Sequence, residues 1–168
     1  CAILCDASLY CYNRLAHAFI RQFFADADIA FLTPRELKLD ELAALVGEPA
    51  CLTLYEYQPV MLTANCLQKT KYGCKKEPVT LSITDEMGNR FYARTYCDDC
   101  YNIIYNKVPY SILDKYIEPA FSKLHPKGYL VRFTIENDKQ IRKIFQILSG
   151  ASCDFGEKTG GHLYRGVL

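Results

Sequence analysis

The sequence predicts an α/β protein in which the terminal β/α units of a TIM-type barrel precede a small mixed α+β domain. Short apolar strands alternate with amphipathic helices over residues 1–65, a pattern typical of parallel β/α units. Residues 66–168 are instead rich in β-branched and aromatic segments. The charge also changes sign, because residues 1–65 hold 4 Lys/Arg and 8 Asp/Glu, whereas residues 66–168 hold 16 and 11. We therefore predict two domains, 1–65 and 66–168.

Residues 1–65 contain three predicted strands, over residues 1–5, 28–32 and 51–57, with the apolar runs of buried parallel strands. Apolar residues recur at helical spacing over residues 9–25. Thr33-Pro34-Arg35-Glu36 predicts the start of a second helix, with a cap, a proline at the first helical position and a glutamate three residues after the cap. Three strands cannot close a barrel. We therefore expect a fragment that needs the amino-terminal barrel portion of the same, longer protein as its partner.

Residues 66–168 begin with a predicted antiparallel hairpin. Strands over residues 79–84 and 90–96 flank the turn Asp85-Glu86-Met87-Gly88-Asn89. A helix is predicted over residues 112–124, although Pro119 lies within it. An alternating strand over residues 129–135 and a capped helix ending at Leu148 follow. These elements predict a mixed α+β domain.

The nine cysteines fall into groups with different predicted roles. Three lie beside apolar neighbours in predicted strands or a helix and are expected to act as small core residues: Cys5, Cys11 and Cys51. Four others flank the hairpin, namely Cys66, Cys74, Cys97 and Cys100. Because a hairpin returns its end to its beginning, we expect these four thiols to lie close together beside the junction of the two domains.

Four thiolates suit either zinc or an iron–sulfur cluster. A structural zinc ribbon usually shows two close Cys-x-x-Cys pairs, whereas seven residues separate Cys66 from Cys74. Lysines around the first pair would favour thiolates over thiols and offset their negative charge. The residues by themselves leave structural zinc, an iron–sulfur cluster and no metal as open alternatives.

Six stretches of the chain occur together in a recognisable order. They are Leu9-Tyr10-Cys11-Tyr12-Asn13, Thr33-Pro34-Arg35-Glu36-Leu37, Tyr55-Glu56-Tyr57-Gln58-Pro59-Val60-Met61, Ala64-Asn65-Cys66, Cys97-Asp98-Asp99-Cys100-Tyr101-Asn102-Ile103-Ile104-Tyr105-Asn106 and Thr159-Gly160-Gly161-His162-Leu163-Tyr164-Arg165-Gly166-Val167. This string resembles the carboxyl-terminal part of the collagenase-like peptidase family of unknown catalytic type. The resemblance spans nearly the whole chain, and its most specific parts are the Cys-x-x-Cys-Tyr-Asn segment and the Gly-His-x-x-Arg-Gly tail.

The resemblance implies a barrel catalytic domain followed by a small appended domain. Members of the family are named as peptidases. Related proteins carry a 4Fe–4S cluster on four cysteines and support hydroxylation of RNA or of ubiquinone precursors. Carried onto this sequence, the cluster ligands would be Cys66, Cys74, Cys97 and Cys100. The related proteins space their third and fourth cysteines further apart, so the assignment of Cys97 and Cys100 departs from the family pattern.

Four side chains are candidates for catalysis or substrate binding. Asp6 and Glu36 fall at or just beyond predicted strand ends, where β/α barrels place their chemistry, although Glu36 could equally cap a helix. His162 and Arg165 lie in the glycine-rich tail and could bind an anionic or carbonyl group, or the tail could merely cap the barrel. His17, between two alanines in the first predicted helix, is expected to be structural.

Three functions remain open at this point: a peptidase acting on proteins or collagen-like substrates, an iron–sulfur-dependent enzyme that modifies RNA or a small aromatic compound, and a docking module with structural zinc. We expect the longer protein to be an enzyme and the isolated chain to be inactive. No membrane-spanning apolar run and no signal segment is apparent, so we expect a cytoplasmic protein. The exposed edge of an incomplete sheet predicts self-association.

Overall fold

The computed structural model describes residues 1–45, 50–152, 154 and 156–164, apart from the side chain of Ser122. The strands are β1 (Ala2–Cys5), β2 (Asp28–Leu32), β3 (Ala50–Glu56), β4 (Pro59–Thr63), β5 (Thr80–Thr84), β6 (Arg90–Tyr96), β7 (Tyr101–Tyr105), β8 (Tyr110–Ser111) and β9 (Gly128–Val131). The α-helices are α1 (Arg14–Gln22), α2 (Leu39–Ala44), α3 (Leu67–Tyr72), α4 (Pro119–Ser122) and α5 (Asp138–Leu148). A 3-10 turn spans Ala7–Leu9.

The chain folds into two units, each built from separated segments. The first unit comprises the described residues of 1–55, 111–131 and 160–168, and the second those of 56–110 and 132–159. The chain therefore leaves the first unit after Tyr55, returns to it at Ser111 and leaves it again after Val131. The division into domains 1–65 and 66–168 stays a prediction.

The first unit is organised by parallel strands. β1 pairs with β2 from Ala2 opposite Asp28 to Cys5 opposite Phe31, and β2 continues onto β3. β9 pairs in parallel with the other side of β3, and the sheet order runs β1-β2-β3-β8. α1 lies between β1 and β2 along the chain, and α2 lies between β2 and β3. These are the β/α units that the alternation of apolar segments predicts.

Small apolar residues form the core beneath α1. Cys5 and Cys11 are buried with Ile29 and Phe31, which confirms the predicted structural role of both cysteines. His17 is buried on the same side, where its ring stacks on Phe31 at a centroid distance of 4.1 Å. Its Nε2 lies 3.1 Å from the carbonyl oxygen of Cys11. His17 is therefore a packed structural residue, as predicted.

The second unit contains an antiparallel sheet in the order β4-β7-β6-β5. The predicted hairpin is confirmed, with β5 paired to β6 from Thr80 opposite Arg94 to Thr84 opposite Arg90. Asp85 closes its turn by accepting hydrogen bonds from the backbone amides of Met87 and Asn89 at 2.9 and 2.7 Å. β7 then pairs with both β6 and β4.

Two predicted helices begin later than the sequence pattern indicates. The second helix starts at Leu39 rather than at Pro34, because Glu41, not Glu36, accepts the capping hydrogen bond from the Lys38 amide. Over residues 112–124 the only α-helix of the described residues is Pro119–Ser122. Proline lacks an amide hydrogen and therefore starts this helix instead of lying inside a longer one.

The α/β class is confirmed by these two sheets and five helices. Among the described strands neither sheet closes on itself, so the barrel stays a prediction. None of the helices in the described parts of the chain combines the length and apolar character needed to cross a membrane.

Candidate metal centre

The topology of the second unit brings three chain segments to one end of its sheet. β4 ends at Thr63, which pairs with Asn102 near the start of β7. β5 begins at Thr80, which pairs with Arg94 near the end of β6. The segment after β4, the segment before β5 and the β6–β7 turn therefore all lie at this end. The four predicted ligand cysteines belong to these segments.

A cavity of about 460 Å³ lies at this end of the sheet, and all four cysteines line it. We call it the cysteine cavity. Besides Cys66, Cys74, Cys97 and Cys100, its walls include Lys69, Thr70, Thr95, Tyr96 and Tyr101. All four sulfurs belong to free cysteines in this structure. The four cysteines that the hairpin argument predicts to lie close together thus line one shared space.

Cys66 is fixed by the helix that follows it. Its sulfur accepts a hydrogen bond from the backbone amide of Lys69 at 3.4 Å, as the capping residue of α3. Thr70 Oγ1 donates to the Cys66 carbonyl oxygen at 3.0 Å, which ties the first turn back to the same residue.

Asn102 anchors the chain immediately before Cys66. Its side chain is fully buried, and its Nδ2 donates to the carbonyl oxygens of Thr63 at 3.3 Å and Asn65 at 2.8 Å. Two hydrogen bonds from one buried amide hold the end of β4 against β7. Replacing Asn102 would remove both hydrogen bonds, each of which contributes roughly 0.5–1.5 kcal/mol net. Asn102 is therefore a positioning residue for the Cys66 segment.

Cys97 and Cys100 bracket the four-residue turn between β6 and β7. The Cys100 sulfur donates to the Cys97 carbonyl oxygen at 3.6 Å, and Cys97 Sγ lies 3.9 Å from Thr95 Oγ1. Cys100 has a φ of 54°, in the left-handed region that residues other than glycine seldom adopt. This tight turn places both sulfurs on the wall of the same cavity.

Thr95 secures the base of the hairpin beneath this turn. It is buried, and its hydroxyl accepts a hydrogen bond from the Val79 amide at 2.7 Å and donates to the Val79 carbonyl oxygen at 3.3 Å. The Thr95 amide donates to the same carbonyl at 2.9 Å. These bonds fix the start of β5, which follows Cys74, against the end of β6, which precedes Cys97.

Stacked tyrosines form an aromatic wall of the cysteine cavity. The rings of Tyr96 and Tyr101 lie 4.8 Å apart and are inclined by 9°. The hydroxyl oxygen of Tyr96 lies 3.1 Å from that of the buried Tyr105. Burial, followed by the hydrogen bond with Tyr96, raises the pKa of Tyr105 above its usual range. The stacked rings of Tyr96 and Tyr101 form an aromatic boundary beside the cysteines.

The donor set of the cavity fits a thiolate-bound metal centre. Four sulfurs are the ligands that both structural zinc and iron–sulfur clusters use. Among the described residues, no three His, Cys, Asp or Glu side chains are placed to hold a single metal ion together. The four cysteines line a shared space, and the cationic residue Lys69 belongs to the same lining. By contrast, burial raises the pKa of the Cys5 and Cys11 thiols, which disfavours thiolates there.

Asp6 and Glu36 both lie in the first unit, after the ends of β1 and β2. Asp6 caps the 3-10 turn, where its Oδ1 accepts a hydrogen bond from the Ser8 amide at 3.0 Å. Glu36 is exposed and accepts a hydrogen bond from the Tyr12 hydroxyl. Burial of the ring, followed by this bond to Glu36, raises the pKa of Tyr12 to about 12. Neither carboxylate belongs to the cysteine cavity.

The tail residues of the predicted site are only partly described. His162 is exposed in a turn of the first unit, next to Leu163, whose carbonyl oxygen accepts a hydrogen bond from the Leu39 amide at 3.0 Å. Arg165 lies outside the described residues. The tail therefore contacts the start of α2, and the pairing of His162 with Arg165 stays a prediction.

Three residues that support the cysteines were not identified from the sequence: Thr95, Tyr96 and Asn102. The residue types carry little signal on their own, since buried threonine, tyrosine and asparagine occur in many folds. Their roles depend on partners far along the chain, such as Val79 for Thr95 and Thr63 for Asn102. A search for polar residues flanking each cysteine would have found them, because each lies within two residues of Cys97 or Cys100.

The chain was compared with protein-family models, with curated proteins and with solved structures, and none of the three comparisons found a match.

Proposed function

We propose that the chain holds a 4Fe–4S cluster on Cys66, Cys74, Cys97 and Cys100. We further propose that it serves an enzyme performing hydroxylation-type modification of RNA or of a small aromatic compound. One observation carries the proposal: four cysteines from three separate chain segments line a single cavity of about 460 Å³. The resemblance to the collagenase-like peptidase family and its iron–sulfur relatives supplies the reaction class.

The size of the cavity favours a cluster over a single zinc ion. Zinc brings four sulfurs to about 2.3 Å from one point, which leaves little space between them. A cluster of iron and sulfide atoms instead occupies the volume that separates its ligands. The cysteine cavity, with a volume of about 460 Å³ and four cysteines in its lining, has room for such a cluster.

The residues around the cavity would hold and insulate the bound group. Asn102 and Thr95 fix the two segments that carry the cysteines. The Lys69 amide donates to Cys66 Sγ, and hydrogen bonds to ligand sulfurs are one way in which proteins adjust a cluster. Tyr96 and Tyr101 shield one side from water. When bound, such a cluster supplies one-electron transfer.

The first unit would contribute the last β/α units of a barrel. β1, β2 and β3 are parallel and follow one another in both sequence and space, as consecutive barrel strands do. β1 stands at the end of the described strand order, so one of its edges is open to a further strand. We propose that the amino-terminal barrel portion of the same protein adds to this edge. Substrate contacts would come from Asp6, Glu36, His162 and Arg165 at the barrel mouth.

The test is metal and sulfide analysis of the chain purified without oxygen. We expect about four iron and four sulfide per chain, together with the visible absorption of a thiolate-bound cluster. Changing Cys66, Cys74, Cys97 or Cys100 singly to Ser should remove most of the iron. The matched control is Cys1→Ser, which changes an exposed cysteine outside the cavity and should leave the iron content unchanged.

The other functions predict different results in the same experiment. One zinc per chain, lost on the same four substitutions, would replace the enzyme proposal with a docking module that carries structural zinc. Neither metal, after reconstitution with iron and sulfide, would leave a peptidase as the remaining function. Peptide cleavage by the isolated chain would contradict the expectation that it is inactive without the rest of the barrel.

A further inference from the structure

A second cavity lies in the same unit, at residues that the proposed metal centre does not use. It has a volume of about 320 Å³ and is lined by parts of β6, α5 and the loop after β7. We call it the basic cavity. The lining residues that matter here are Tyr57, Arg90, Tyr92, Lys107, Gln140 and Lys143. None of them lines the cysteine cavity.

Positive charge exceeds negative charge in this cavity. Arg90, Lys107 and Lys143 are its cations, and Glu157 is the one acidic residue among its described lining. Glu157 pairs with Lys107 at 3.3 Å, and both side chains are more than half exposed, which places this ion pair in solvent at the rim. In the described part of the chain neither Arg90 nor Lys143 has an ion-pair partner. Arg90 and Lys143 are therefore available to pair with an anionic ligand in the cavity.

The remaining wall is aromatic and fixed in position. Tyr57 is buried, with 7% of its surface exposed, and the ring of Tyr92 meets it edge-on at a centroid distance of 6.0 Å. Gln140 hydrogen-bonds the Tyr57 hydroxyl. Its Oε1 already accepts from the Asn137 amide at 2.9 Å, so its Nε2 is the donor to Tyr57. The half-buried Tyr92 presents ring surface to the cavity.

We propose that the basic cavity binds an organic phosphate that carries a flat ring, as a nucleoside monophosphate does. Guanidinium and ammonium groups recognise phosphate oxygens, and an aromatic wall provides a surface for a planar ring. The volume lies at the lower end of the range for small-molecule sites, which suits a ligand of this size. The ligand would be a nucleotide, either free or at an accessible position of a single-stranded nucleic acid.

The experiment is isothermal titration calorimetry of the full chain with adenosine 5′-monophosphate, adenosine and inorganic phosphate. We expect saturable binding of the monophosphate and weaker binding of each of its parts. Lys143→Gln and Arg90→Gln should each weaken binding of the monophosphate by roughly tenfold or more, because each removes a hydrogen bond to a charged group. Neither change should affect adenosine.

Arg142→Gln is the matched control. Arg142 is the exposed neighbour of Lys143 on α5 and does not line the cavity, yet its substitution changes the net charge equally. It should leave the affinity for the monophosphate within about twofold, as expected for an exposed charge that makes no contact. Tyr92→Leu should weaken binding of the monophosphate and leave that of inorganic phosphate unchanged.

Two results would overturn the proposal. One is the absence of saturable binding of the monophosphate at millimolar concentration. The other is an equal effect of Lys143→Gln and Arg142→Gln, which would show general attraction by a basic surface. Titration with a short oligoadenylate then identifies the source of the phosphate. If the strand binds more tightly than the monophosphate, and if the same variants weaken its binding, the ligand of the basic cavity is a nucleic acid. Nucleotide binding and metal binding are tested independently, because the basic cavity and the cysteine cavity share no lining residue.

Discussion

At the scale of single residues, polar side chains with nonlocal partners determine how the candidate sites are held. Asn102 and Thr95 each reach a segment that precedes them by many residues, Thr63 and Val79 respectively. Tyr12 in the first unit reaches a segment that follows it in the chain, by donating to Glu36. In each case one side chain joins two chain segments that local sequence patterns treat separately. Such residues set the geometry of a site without acting in its chemistry.

The Tyr12–Glu36 pair gives a prediction about titration at high pH. The pKa of Tyr12 is raised from 10.0 to about 12, so its contribution to the free energy of folding is complete below pH 10 and is lost as the pH rises towards 12. Glu36→Gln removes the negative charge beside the hydroxyl and should shift the pKa of Tyr12 downward. Ultraviolet titration of tyrosine ionisation measures the shift.

The matched comparison repeats the Glu36→Gln substitution in a Tyr12→Phe background. The downward shift should disappear there, since the remaining tyrosines do not include the hydroxyl that contacts Glu36. A shift of equal size in both backgrounds would assign the effect to another tyrosine. The same comparison tests whether Glu36 is committed to Tyr12 or remains available for the substrate role proposed for it.

At the scale of elements, the β6–β7 turn connects backbone geometry with the candidate metal centre. Cys97 and Cys100 occupy its first and last positions, and Cys100 adopts a positive φ of 54°. A left-handed conformation costs roughly 1–2 kcal/mol for a residue other than glycine. Strain of this kind persists only where the surrounding structure imposes it, and here the paired strands β6 and β7 do so.

This strain predicts opposite effects of glycine at the two ends of the turn. In metal-free protein, Cys100→Gly should be more stable than Cys100→Ala by about 1 kcal/mol, because glycine adopts a positive φ without a steric penalty. At Cys97, whose φ is not positive, glycine should be less stable than alanine by roughly 0.5–1 kcal/mol. Urea unfolding of the four variants measures both differences. Equal preferences at the two positions would contradict the left-handed assignment of Cys100.

Elements with strong local signals could be predicted from the sequence. The alternation of strands and helices in residues 1–65, the β5–β6 hairpin and the meeting of four cysteines all follow from short-range patterns and from the geometry of a hairpin. The start of α2 was predicted five residues too early, because Glu41 caps that helix. The pairing of β9 with β3 was missed, since no local pattern reports which of two distant strands will meet.

For the candidate metal centre, the cysteines could be predicted from the sequence, whereas the residues that hold them in place could not. Cysteine spacing and the hairpin identify Cys66, Cys74, Cys97 and Cys100 without knowledge of the packing. Asn102 and the Tyr96–Tyr101 stack instead depend on the register of β7 against its neighbours, which the sequence does not state. The basic cavity was missed for the same reason, since β6, α5 and the loop after β7 are far apart in sequence.

At the scale of the whole molecule, the most unusual surface is an apolar stripe on α1. Leu15, Phe19 and Phe23 are 82%, 57% and 66% exposed and follow one another at intervals of four residues, on one face of the helix and its end. The rings of Phe19 and Phe23 pack edge to face at a centroid distance of 5.0 Å. Contiguous apolar patches of this kind mark interaction surfaces. In the proposed barrel, a neighbouring β/α unit would cover it.

In the isolated chain, a second copy of the chain can cover the stripe. We therefore predict self-association that depends on protein concentration and that the double substitution Phe19→Gln/Phe23→Gln weakens. Burial of one Phe side chain contributes roughly 1.5–3 kcal/mol, so the dissociation constant measured by equilibrium sedimentation should rise at least tenfold. Glutamine forms helices well, and the exposed rings contribute little to the core, so stability to urea should be nearly unchanged. The matched control is Met87→Gln, which removes an even more exposed apolar side chain from the hairpin turn of the other unit. If Met87→Gln weakens association as much as the double variant, the stripe is not the contact surface, and the association belongs to the open edge of β1 or to another face.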